Sequence, residues 1–130
     1  WAEFTAADSN EVQSVVTKAV GECDALYIPT DNTIANNTEI VKNVAVPAGI
    51  PVVTGEEGMC SGCGLATLSI SYYDLGVKAA EMAYEILTNG ADPAQMAIGY
   101  VTDGITEKYN ADIAEALNIT IPEDMVAIEN

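Results

Sequence analysis

The chain has 130 residues, about half of them apolar, enough for one domain with a real hydrophobic core. Twenty acidic residues against four Lys, with no Arg, give a net charge of −16, which repels a phosphate backbone and argues against nucleic acid as a partner. The absence of His excludes Ser-His and Cys-His nucleophilic catalysis and removes the commonest zinc ligand.

No apolar run approaches the roughly 20 residues of a membrane span. The chain starts at Trp1 without an initiator Met, so it is expected to be a mature or excised form, with any targeting segment outside it. "SNEVQSVVTKAVG" (9–21) places Val12, Val15, Val16, Ala19 and Val20 at helical spacing, with Asp8 or Ser9 to cap its start and Gly21 its end. Cys23, which follows, reads as a buried small hydrophobe. "DALYIPT" (24–30) is a short buried strand stopped by Pro29. "DNTIANNTEIVKNVAV" (31–46) reads as one helix with Ile34, Val41, Val44 and Ala45 inward, and "GIPVVTG" (49–55) as a second strand.

A Gly-rich loop made flexible by Gly62 and Gly64 then leads into a third strand, "LATLSIS" (65–71). "YYDLGVKAAEMAYEILTNG" (72–90) is the clearest helix, with a stripe of Leu75, Ala79, Met82, Ala83, Ile86 and Leu87, closed by Asn89-Gly90. "MAIGYVT" (96–102) reads as a fourth strand, and "TEKYNADIAEALN" (106–118) as a last helix with Ile113, Ala114 and Leu117 inward. The tail 119–130 is expected to dock by Ile119, Ile121 and Val126.

Cys60-Ser-Gly-Cys63 is a C-x-x-C. A redox pair of that kind opens a helix after a strand, where the dipole lowers the thiol pKa, and a structural zinc site wants four ligands. Here the pair precedes a strand and sits in the loop, so incidental thiols or a local disulfide are favoured over a redox couple or a metal half-site.

Alternation of strand and helix with short joins implies an α/β fold: a parallel sheet with helices on both faces. Ligands of such sheets bind beyond the carboxyl ends of the strands, which singles out three loops. They are Thr30, Asp31 and Asn32 with their neighbours; Thr54, Gly55, Glu56 and Glu57; and Ser71, Tyr72 and Tyr73. Together they offer acids and amides for an ammonium, helix-end N–H groups for a carboxylate, and aromatic faces, a set that suits a zwitterion such as an amino acid. The plainer reading is that Thr30 or Asp31 only caps a helix, Glu56 and Glu57 are solvated, and one Tyr packs in the core while the other is a surface residue.

The ordered set "DALYIPTDNTIANN", "AGIPVVTGEEG", "GLATLSISYYDLGVKAAEMAYEILTNG" and "NADIAEALNITIP" resembles the ABC transporter substrate-binding proteins of tryptophan/tyrosine type, in their C-terminal part, over nearly the whole chain. "YIPTDNT" and "YYDLG" are the most specific elements. The resemblance implies a type I periplasmic binding protein fold, two α/β lobes closing on a small ligand, of which this chain is a part. Residues 1–64 and 96–130 would lie in the C-terminal lobe, and 65–95 would be a strand and helix crossing the hinge into the N-terminal lobe. Thr30, Asp31, Asn32, Thr54, Gly55, Glu56, Ser71, Tyr72 and Tyr73 match the family's cleft segments.

Two departures stand out: Ser71 where members often carry an acid, and the two cysteines. The resemblance implies no catalysis, no cofactor and no metal, an extracytoplasmic place in the periplasm or on a lipid anchor, and an ABC permease as partner. Self-association of the partial chain through the helix stripe is also expected. The rival readings are a ligand-sensing domain of the same fold and a thiol oxidoreductase using Cys60 and Cys63.

Overall fold

The structure, a computed structural model, describes residues 1–102 and 104–129. Position 103 in the returning segment and the last residue of the tail read at 119–130 lie outside the described residues. The first helix, α1 (Val12–Glu22), buries Val12, Val16 and Ala19, one stripe of a 3.6-residue period. It starts later than Ser9 because Asp8 makes a turn instead of a cap: its carboxylate accepts Asn10 N at 2.8 Å and its carbonyl accepts Glu11 N at 3.2 Å. Gly21 lies inside the helix, and half-buried Cys23 closes it by donating its N–H to the Ala19 carbonyl.

β1 (Leu26–Ile28) ends before Pro29. The stretch 31–46 forms two helices, α2 (Asn32–Ala35) and α3 (Thr38–Ala45), not one. The Asn36-Asn37 pair breaks it: the Asn37 amide donates to Thr33 O at 2.7 Å and to Ser9 Oγ at 3.2 Å, an alternative to the helical ladder. β2 (Val52–Thr54) follows. The segment expected as a flexible Gly/Cys loop is instead a helix, α4 (Glu57–Cys63), and the C-x-x-C lies within it. β3 (Ala66–Ser69) leads to α5 (Tyr72–Asn89), which Gly90 ends in the left-handed region at φ 70°.

A 3-10 turn, Pro93–Gln95, comes next, but the expected strand at 96–102 is absent. The fourth strand, β4, is Thr106–Tyr109, taken from the start of the expected last helix. Of its four residues only Glu107 is exposed, and Asn110 caps a shorter helix, α6 (Ala111–Leu117). The tail contributes β5 (Val126–Ala127).

The sheet order is β1-β2-β3-β4-β5. It is mostly parallel, and β3 and β4 pair antiparallel, a departure from the all-parallel expectation. On one face Val52 joins Val12, Val16, Val41, Ala45 and Cys63 in the main core, with Leu26 and Ile28 packed against it. Each fully buried Val there is worth about 1.5–3 kcal/mol relative to exposure. On the other face Ile113 and Ala114 of α6 pack with Ala66 and Tyr109. Tyr27, Val53 and Leu68 share that second face and stay exposed, so helices cover it only in part.

The chain forms two compact units, Trp1–Ser69 with Thr106–Asn130, and Ile70–Ile105. The second consists of α5, the 3-10 turn and the extended segment after it. Lys78 and Met82 line an open groove of about 470 Å³ with residues 96–100. No residue of α5 is buried, so the stripe read from the sequence is not a core.

Candidate ligand-binding site

The register Ile28↔Thr54 sets the carboxyl ends of β1 and β2 side by side, and the loops leaving them meet. Gly55 N donates to Ile28 O at 2.9 Å. A Cβ on Gly55 would fall 2.7 Å from Thr30 N and 2.8 Å from Thr30 Oγ1, so only glycine lets the two loops touch. Six of the nine residues singled out by sequence are thereby brought together. Thr30, Asp31 and Asn32 are exposed, Gly55 and Glu56 half-buried, and Thr54 buried.

The side chains divide by task. Asp31 caps α2, its Oδ1 accepting Ile34 N at 2.9 Å. Glu56 caps α4, with Oε2 accepting Gly58 N at 2.7 Å and Oε1 accepting Met59 N at 2.5 Å. Thr54 is 1% exposed: its hydroxyl donates to Glu56 O at 3.1 Å, and its carbonyl accepts Thr67 Oγ1 at 2.8 Å. It shapes the loop and has no surface to offer a ligand. Glu56 and Glu57 are not merely solvated. Glu57 Oε2 accepts Lys108 Nζ at 2.7 Å and Ser69 Oγ at 3.3 Å.

Ser71, Tyr72 and Tyr73 belong to the second unit. Ser71 caps α5 by accepting Asp74 N at 3.1 Å. Both tyrosines are exposed at the start of that helix, so neither is a core residue.

Sequence reasoning missed Lys108, Ser69 and Asn110. Asn110 is 4% exposed and serves two helices: its amide donates to Cys60 O at 3.2 Å and Ser61 O at 2.9 Å, and its Oδ1 accepts Ile113 N at 3.2 Å. The signal was present in "YNAD", a helix-capping Asn before an acidic first turn.

Cys60 and Cys63 are buried free thiols. Cys60 donates to Gly64 O at 3.5 Å and Cys63 to Met59 O at 3.4 Å. Burial pushes the Cys60 thiol up to about 11, helped by Glu57 and Glu56 and opposed by a Thr54 hydrogen bond. Burial pushes Cys63 up to about 12, with Cys60 and Glu56 adding to it. A redox pair needs an accessible thiolate at a helix start, and this one is protonated and closes a helix. Among the described residues no group of His, Cys, Asp and Glu is arranged to hold a metal.

Residues 1–129 match the family described as ABC transporter substrate binding protein. The chain belongs to that family. Among curated relatives, a tyrosine-binding protein from Clostridioides difficile is 44% identical over 79 residues, 61% of this chain and 23% of its own. A domain from Streptococcus pneumonia solved in complex with L-Trp superposes with a TM-score of 0.82 at 31% identity, over 95% of this chain and 43% of its own. A ligand-free, open substrate-binding protein with adhesive properties from Clostridium difficile gives 0.71 at 36% identity, over 95% and 42%. The chain thus spans less than half the length of these relatives.

Proposed function

We propose that this chain is part of the extracytoplasmic solute-binding component of an ABC importer, and that its ligand is an aromatic amino acid. The observation that carries the reading is the meeting of the Thr30–Asn32 and Thr54–Glu56 loops at the carboxyl ends of two parallel strands. It is supported by the L-Trp complex and the tyrosine-binding name among the chain's relatives. Asp31 and Glu56 give that end a negative charge suited to the ligand ammonium. Thr30 and Asn32 add exposed polar groups. Ser71, Tyr72 and Tyr73 open α5 in the second unit, where both tyrosines expose aromatic faces of a kind that suits an aromatic side chain.

In this reading the first unit belongs to one lobe, and the chain leaves it after Ser69 and returns at Thr106, later at both points than the 65 and 96 read from the sequence. Closure of the lobes presents the complex to the permease. The chain has no catalytic step to perform. The apolar side of α5 pairs with a second copy when the rest of a longer protein is lacking; a monodisperse 13.6 kDa species in light scattering would refute that pairing.

The test is heteronuclear NMR of the chain titrated with L-Trp, L-Tyr, L-Leu and glucose, a method that registers weak binding. The expected result is saturable shifts at Thr30–Asn32, Thr54–Glu56 and Ser71–Tyr73 with the aromatic amino acids. No shift with any probe overturns the reading for this chain, and shifts with glucose alone overturn the ligand class.

A further inference from the structure

Glu56 and Glu57 are adjacent acids with opposite tasks. Glu56 turns its carboxylate onto its own helix, whereas Glu57 turns its carboxylate onto the sheet. Glu57 is half-buried, and its Oε2 gathers Lys108 Nζ at 2.7 Å and Ser69 Oγ at 3.3 Å. Ser69 is the last residue of the first unit before the chain leaves it, and it pairs in register with Thr106, where the chain returns. Lys108 lies two residues further along that returning strand. One carboxylate therefore joins the start of α4 to both strands of the crossing. Beside it, Thr67 Oγ1 donates to Thr54 O, so the sheet grips the β2–α4 loop at a second point.

We infer that Glu57 is a positioning residue, which with Lys108 and Ser69 fixes the Thr54–Glu56 loop to the strands by which the chain enters and leaves the other unit. The inference rests on the reading of that loop as a ligand loop. Its chemistry is electrostatic: a charge-assisted bond about as short as such bonds come, in a site partly shielded from water. The carboxylate faces Lys108 and Ser69, and the neighbouring Glu56 carboxylate is occupied by the N–H groups of Gly58 and Met59. Movement of either crossing strand would pull on the loop through a bond that does not touch the ligand.

The test uses the whole chain and two readouts. Amide hydrogen exchange is compared for wild type, Glu57→Gln, Lys108→Met and the exchanged pair Glu57→Lys with Lys108→Glu. The expected result is at least tenfold faster exchange at Gly58, Met59 and Thr106 in both single variants, unchanged exchange in α3 and α6, and recovery in the exchanged pair. Equal acceleration across the whole unit means that the pair contributes only to stability and overturns the inference, as does no change at all.

The second readout is L-Trp affinity by NMR, expected to fall at least fivefold in Glu57→Gln and not in Asp112→Asn, an exposed acid on α6. If wild type binds L-Trp and Glu57→Gln binds it equally well, the inference fails while the functional reading stands. If wild type binds no probe, the functional reading fails, and with it the claim that the loop positioned is a ligand loop.

Discussion

Cys60 and Cys63 titrate near 9 when unfolded and at about 11 and about 12 in the fold. The fold holds these protons more tightly, so the stability they contribute is complete below pH 9 and is lost as pH rises through 11 to 12. The urea midpoint of wild type should therefore drop more between about pH 8 and pH 10.5 than that of a Cys60→Ala/Cys63→Ala variant; equal drops would show that the thiols are not the cause. A thiol reagent at pH 8 should modify Cys23 first and reach the buried pair only in denaturant. Asn110 offers a second check, because it both donates and accepts. Asn110→Asp keeps the cap on α6 but turns a carboxylate toward the Cys60 and Ser61 carbonyls, at a cost of about 2–3 kcal/mol. Denaturant unfolding measures it, and a loss near zero would remove Asn110 from its place between α4 and α6.

Among the elements, α4 depends on close approach. A Cβ on Gly62 would lie 2.6 Å from the Thr38 Cβ at the start of α3, so Gly62→Ala should cost about 1–3 kcal/mol by overpacking. Thr38→Gly should restore most of it, and additive losses in that double-mutant cycle would disprove the contact. This helix also shows where sequence reading stopped. The strands at 26–28, 52–54 and 66–69 and the helix at 72–89 were legible, because their apolar runs and turn signals are local. α4 was not, since Gly62 and Gly64 read as loop; they are there because Thr38 crowds Gly62 and Thr54 crowds Gly64, leaving no room for side chains. β4 hid inside a helical pattern because its partner, β3, lies far away in sequence, and "MAIGYVT" has β-propensity but no neighbouring strand. At the site, the strand-end rule found the two loops that meet. It could not show that Thr54 faces inward or that Glu57 bonds Lys108, since both depend on the register of the folded sheet.

Across the whole molecule, the two units differ in how they are held. The first has a closed core, whereas α5 has 18 residues and none buried. Local opening costs little where few apolar contacts are lost. In dilute solution, before two copies pair, amides of α5 should exchange at least a hundredfold faster than those of α3, and their protection should rise with chain concentration; protection that does not depend on concentration would refute the pairing. The charge of −16 acts on the same scale: added salt should raise the melting temperature by screening self-repulsion, and a fall instead would mean that ion pairs such as Glu57–Lys108 dominate.

The antiparallel pairing of β3 with β4 makes residues 70–105 an insertion into a hairpin. Ser69 and Thr106 stand opposite one another, about 5 Å apart as such pairs are, a gap that a two-residue Asn-Gly turn spans. The strand order of the first unit needs nothing from the excised stretch. A shortened chain running from Ser69 through Asn-Gly to Thr106 would thus be a minimal scaffold that keeps the loops after β1 and β2, onto which different recognition segments could be spliced.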